Sequence, residues 1–175
     1  MDNKLLVSLS AIVTQQAAAT QRINKAINQL LNYSATYPTD GILYCSINMV
    51  LCAHSDIGFH NKSKGLSRAN THIFLSENVP MPNWNNPVLT LAQIINFFLS
   101  STSKAELGVL FITAQEMVST RNTLEEMRWP QPKSTIQTDN SYAAGVVNNK
   151  NFSRKIKTMD RRLHWMICRE AQGRL

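Results

Sequence analysis

The stretch from Ser103 to about Arg128 constrains this chain more than any other. Leu107, Leu110, Phe111, Ala114, Met117 or Val118, and Leu124 recur at the three-and-four spacing that lines up one side of an α-helix. "WPQPK" (129–133) stops the pattern, because proline lacks the N–H a helix needs and its ring crowds the preceding turn. A stripe this long must be buried against something. The β-leaning runs on either side of it supply a sheet.

Upstream, "ILYC" (42–45), "MVLCAHSD" (49–56), "THIFLS" (71–76) and "VLTLAQ" (88–93) read as strands. "YPTDG" (37–41) and the polar "FHNKSKGLSRAN" (59–70) read as turns, and "NVPMPNWNNP" (78–87) as a loop. "IINFFLS" (94–100) fits either strand or helix. Downstream come the strand "STIQTD" (134–139), a short helix over Tyr142–Val147, a basic linker (149–157) and a last helix over Thr158–Gln172. At the other end, residues 14–33 predict one amphipathic helix with Ile23, Ala26, Ile27, Leu30 and Leu31 on its stripe. Leu5, Leu6, Leu9, Ile12 and Val13 predict a further helix, with Asp2 as its N-cap. Grouped strands followed by alternating strand and helix imply an α+β fold, a mixed sheet with helices packed on it. The expected division is an N-terminal helical segment (1–40) and a main domain (41–175).

The 175 residues suit one domain with an appended segment. A chain of this length buries roughly 70% of its unfolded surface and needs no disulfides. Cys45, Cys52 and Cys168 form no C-x-x-C pair and are odd in number, so reduced thiols in an intracellular protein are expected. The apolar start loosely mimics a signal peptide, but Asp2 cancels Lys4, so secretion is not expected. No run of about 18 apolar residues exists, so no membrane span is expected.

The net charge of +7 is uneven: residues 150–175 carry eight basic and two acidic side chains. Such a basic quarter on a nearly neutral body points to a polyanion partner, nucleic acid first, or else to a solvated surface helix. Other chemistries find no support. His54, His60, His72 and His164 lack zinc spacing, no serine–histidine or cysteine–histidine pattern is evident, and no Gly-rich phosphate loop is present.

Three acids stand at telling places. Asp56 closes "MVLCAHSD", Glu106 opens the long helix, and Asp139 closes "STIQTD". Each has a local explanation. Asp56 suits a turn, Ser103-x-x-Glu106 is a capping box, and Asp139 with Asn140 and Ser141 could cap the next helix. Were the three to converge, they would form a set of hard oxygen ligands for Mg²⁺ or Mn²⁺. Two such ions about 4 Å apart could activate a water against a phosphodiester.

The words "QLLNYSATYP", "MVLCAHSDIGF", "SRANTHIFLS", "SSTSKAELGVLFITAQE", "TDNSYAAG" and "RKIKTMDRRLHWMICREAQG" occur in this order from about residue 14 to 175. This ordered set resembles the RNase H region of copia-type LTR-retrotransposon polyproteins, with the end of the connecting segment that follows the reverse transcriptase. The resemblance implies an RNase H-like, five-stranded mixed sheet. It implies four acids around two Mg²⁺ ions, and hydrolysis of the RNA strand of an RNA–DNA hybrid. It assigns the first three acids to Asp56, Glu106 and Asp139. Hybrid backbones are gripped through phosphates and 2′-hydroxyls, which suits Arg154, Lys155, Lys157, Arg161 and Arg162. The reverse transcriptase portion of the polyprotein is the other implied partner.

This sequence departs from the family pattern in two ways. Lys104 stands where a first glutamate is usual. The family's fifth strand and the final helix with the fourth acid lie beyond Leu175, Asp160 is not that acid, and Glu170 is far along its helix. The expectations are a main domain lacking its last strand and helix, a weakly held second ion, and "STIQTD" as an open sheet edge. A catalytically inactive retroelement remnant that at most binds nucleic acid is the alternative. An unrelated basic module whose acids are caps is the third reading.

Overall fold

The computed structural model describes residues 5–15, 17, 20–39, 41, 43–58, 67–83, 85–95, 102–148 and 160–175. They fall into two units, Met1–Tyr44 and Cys45–Leu175. The first holds α1 (Leu6–Val13) and α2 (Gln21–Thr36). α2 begins later than periodicity alone predicts. Thr20 is extended (φ −125°, ψ 161°) and its side-chain oxygen accepts the Ile23 N–H at 3.4 Å, so the helix starts at Gln21 and not at residue 14. Of the expected stripe, Ile23 is buried, Ile27 and Leu30 are half-buried, and Ala26 and Leu31 are exposed. Asp2, the expected cap of α1, lies outside the described residues.

The second unit is α+β. Its strands are β1 (Val50–Gly58), β2 (Ser67–Ser76), β3 (Pro87–Ile95) and β4 (Thr135–Thr138). They lie in the order β3-β2-β1-β4. β1 runs antiparallel to β2, β2 antiparallel to β3, and β1 parallel to β4, which makes the sheet mixed. α3 (Thr102–Glu126), α4 (Ser141–Val147) and α5 (Asp160–Ala171) complete the unit. This architecture is compatible with an RNase H-like fold.

Two strand expectations change. Leu43, Tyr44 and Cys45 are exposed and belong to no strand. The Asn85 side chain takes the place of a ladder, accepting the Cys45 N–H at 3.1 Å and donating to its carbonyl at 3.4 Å. Conversely, residues 67–70, read as turn from their polarity, extend β2. Arg68 is buried there and its Nη1 donates to the Ala92 carbonyl at 3.1 Å. Ile94 and Ile95 extend β3, and residues 96–101 lie outside the described set.

Strand alternation sends Leu51, Ala53 and Ile73 toward α3, where Leu107, Leu110, Ala114 and Met117 meet them. Ala143 and Val146 of α4 and Leu163 and Met166 of α5 close the same core. Burying side chains such as Leu51 and Ile73 is worth about 1.5–3 kcal/mol each. Val50, Cys52 and Phe74 form a smaller cluster from the alternate strand positions. Burial pushes the Cys52 thiol above its ordinary range, partly offset by a backbone hydrogen bond to Thr135, and all three cysteines are free. Among the described residues, no helix is long and apolar enough to cross a membrane.

α3 ends in a Schellman turn. The Trp129 N–H reaches the Leu124 carbonyl at 2.9 Å and the Arg128 N–H reaches Glu125 at 3.0 Å. The left-handed residue is Arg128, at φ 65°. α5 ends the same way, with Gly173 at φ 67° in that position. A side chain at positive φ is strained where glycine is not. Arg128→Gly should therefore raise stability by about 1 kcal/mol, read as a shift in urea midpoint at unchanged slope. An unchanged or lower midpoint would count against this account of the turn.

Candidate metal centre

The parallel pairing of β1 with β4 builds the site. Its last register pair is Ser55↔Thr138, so Asp56 and Asp139 are the next residues on two neighbouring strands running the same way. Asp56 is not a turn residue. It lies within β1, opposite Asn70 of β2, and is exposed between buried Ser55 and Ile57.

The capping explanations of the other two acids also fail. The N-cap of α4 is Asn140, whose side-chain oxygen accepts the Ala143 N–H at 2.9 Å. Asp139 precedes that cap and stays exposed. Ser103 lies inside α3, which begins at Thr102, so Ser103-x-x-Glu106 does not frame the helix start.

Glu106 is only 5% exposed, near Ala105 and Val109, which pack against the sheet. Its Oε2 is buried and, among the described residues, has no hydrogen-bond partner. Asp56, Glu106 and Asp139 each present a carboxylate oxygen within 4.8 Å of the others. Burial, then Asp139, then Asp56 raise the Glu106 carboxyl to about 7. A buried carboxylate without a donor, facing two more carboxylates, is costly in its ionised form. A proton relieves that cost, and so does a cation. The oxygen-only donor set suits a hard divalent cation.

The sequence-predicted residues therefore divide. The structure brings together Asp56, Glu106 and Asp139. Arg154, Lys155 and Lys157 lie outside the described residues. Arg161 and Arg162 are exposed on α5, where the Arg162 guanidinium stands 5.5 Å from the Phe111 ring centroid. Glu170 is engaged elsewhere, in a 2.6 Å ion pair with Lys133. Of Asp139, Asn140 and Ser141, the three expected as a cap of α4, Asn140 is the one that caps it. Sequence reasoning missed the exposed face of α5 around Trp165, whose only signal is the i, i+4 spacing of Arg161, Trp165 and Arg169.

Comparison of the chain with protein-family models, with curated proteins and with solved structures finds no match.

Proposed function

We propose that this chain is a metal-dependent nuclease domain of the RNase H type, resembling that of copia-type retrotransposon polyproteins, and that its substrate is the RNA strand of an RNA–DNA hybrid. The observation that carries the reading is the buried, unpartnered Oε2 of Glu106, set against the carboxylates of Asp56 and Asp139. The donor set fits Mg²⁺ or Mn²⁺, held by these three residues. Bound there, as one ion or as the pair the family resemblance implies, the metal would supply Lewis-acid stabilisation to a phosphodiester and an activated water.

The chain's own residues have separable tasks. Glu106 sets the floor of the site and gives up its proton as the cation enters. Asp56 within β1 and Asp139 just past β4, both exposed, face incoming substrate. The cations of residues 150–175 hold the phosphate backbone, which makes binding salt-dependent. In the polyprotein this reading implies, a reverse transcriptase portion delivers the hybrid.

The test is incubation with an end-labelled RNA–DNA hybrid and Mg²⁺ or Mn²⁺. Cleavage of the RNA strand is expected with metal, and neither with chelator nor in Asp139→Asn. Binding of the hybrid without cleavage at any metal concentration would leave only the non-catalytic, nucleic-acid-binding reading. Cleavage that persists in Asp139→Asn would remove the acids from the mechanism.

A further inference from the structure

The exposed side of α5 carries a second feature, remote in kind from the acid cluster. Arg161, Trp165 and Arg169 follow one another at i, i+4 and i+8, and His164 and Cys168 form a neighbouring i, i+4 row. Four of these five side chains, Arg161, His164, Trp165 and Cys168, line an open surface depression of about 480 Å³. Trp165 is half-buried and anchored. Its ring meets Phe111 edge-on at 5.5 Å, and the Arg169 guanidinium stands 5.2 Å from its centroid. Arg161 is exposed, and among the described residues neither Arg161 nor Arg169 forms an ion pair.

We propose that this face of α5 docks single-stranded nucleic acid, with an unpaired base in the depression beside Trp165 and the flanking phosphates on Arg161 and Arg169. An aromatic ring in a cationic surface depression is the arrangement that binds single strands with little sequence preference. The ring gives every base a surface to stack on, and the guanidiniums neutralise the backbone. Charge complementarity selects the occupant. Residues 150–175 are strongly basic, and an acidic peptide would neutralise the arginines but leave the aromatic depression unfilled. A regular duplex keeps its bases stacked and could not seat one there. This proposal goes beyond the hydrolase reading, shares with it the cations of α5 and uses none of its acids, so single-strand binding retained by Asp139→Asn, which no longer cuts the hybrid, separates the two.

The experiment follows the fluorescence anisotropy of a labelled oligothymidylate titrated with the full chain at low salt. The wild type should bind, more weakly as salt rises. Arg161→Glu with Arg169→Glu should weaken binding about tenfold or more. Trp165→Leu should also weaken it severalfold, with its salt dependence unchanged because the phosphate contacts remain. Arg22→Glu with Lys25→Glu, an equal double reversal at exposed positions of α2, should leave affinity within about twofold. No binding by the wild type overturns the proposal. So does wild-type affinity in the α5 double reversal, or an equal loss in the α2 double reversal, which would mean net charge alone is read. Should Trp165→Leu fail to fold by circular dichroism, the α5 double reversal, with its own fold checked by circular dichroism, decides the matter.

Discussion

Replacing Arg121 by alanine should cost about 3–4 kcal/mol of stability and lower the melting temperature by about 10 °C. Arg121 is buried in the second half of α3, and its guanidinium ties together segments far apart in sequence. It donates to the Glu125 carboxylate at 2.9 Å, the Pro132 carbonyl at 2.7 Å, Ser134 Oγ at 3.2 Å, the Arg174 carbonyl at 3.3 Å and the Gln131 carbonyl. Removing it strands several acceptors where water reaches them poorly, and each unpaired buried polar group costs about 1–3 kcal/mol. The damage also spreads to β1. Gln131, held in place by Arg121, accepts the Leu51 N–H at 2.9 Å and donates to the Met49 carbonyl at 3.1 Å. Met49 stands at φ 57°, a strained entry to the strand that needs such a clamp. Arg121→Lys should recover only part of the loss, because an ammonium has no planar fork to share among five acceptors. Thermal melts of the three proteins check this. An alanine variant melting within about 2 °C of wild type would show that the network is dispensable.

Glu106→Gln should do the opposite and stabilise the metal-free protein, but only at neutral and alkaline pH. Folding raises the Glu106 carboxyl from 4.5 to about 7, chiefly by burial. Between those values the folded chain keeps a proton that the unfolded chain releases. Stability from this group is therefore fully present below pH 4.5 and is lost as pH rises through 7. The loss above that range is about 2–3 kcal/mol, and glutamine, which cannot ionise, avoids it. Denaturant titrations at about pH 5 and about pH 8 should show the variant near wild type in the first and more stable in the second. Adding Mg²⁺ or Mn²⁺ at the higher pH should then stabilise wild type and leave the variant unmoved, because the cation takes the place of the proton. A variant less stable than wild type at both pH values, in chelator, would mean that Glu106 is satisfied by something other than a proton or a metal.

Much of this molecule was legible in its sequence, for physical reasons. The stripe on α3 showed because an amphipathic helix packed on one face writes a periodic pattern, and Leu107, Leu110, Ala114 and Met117 are all buried. The three acids showed because each closes or opens a run of patterned residues in the sequence, although Asp56 and Glu106 lie inside β1 and α3. Spacing could not supply their convergence, which only the family resemblance implied, since that depends on which strands become neighbours and in what register. Polar strand residues were hidden for a related reason. Ser67 and Arg68 read as turn, yet the sheet buries them, with the Arg68 stem covered and its head bonded to a backbone carbonyl. "ILYC" erred the other way, because β-propensity does not tell a strand from a segment whose backbone is satisfied by one asparagine.

The parallel junction of β1 with β4 also has a meaning in folding time. It pairs Cys52 with Thr135 and Ser55 with Thr138, a far longer closure than the antiparallel pairs between successive strands require. Closure entropy delays such contacts. Until that pairing forms, Asp56 and Asp139 belong to separate parts of a fluctuating chain. A cation therefore has nothing to recruit early on. A cation bound at the proposed site would recognise the finished sheet, and by occupying the seam between β1 and β4 it would act as a latch that slows opening without hastening assembly.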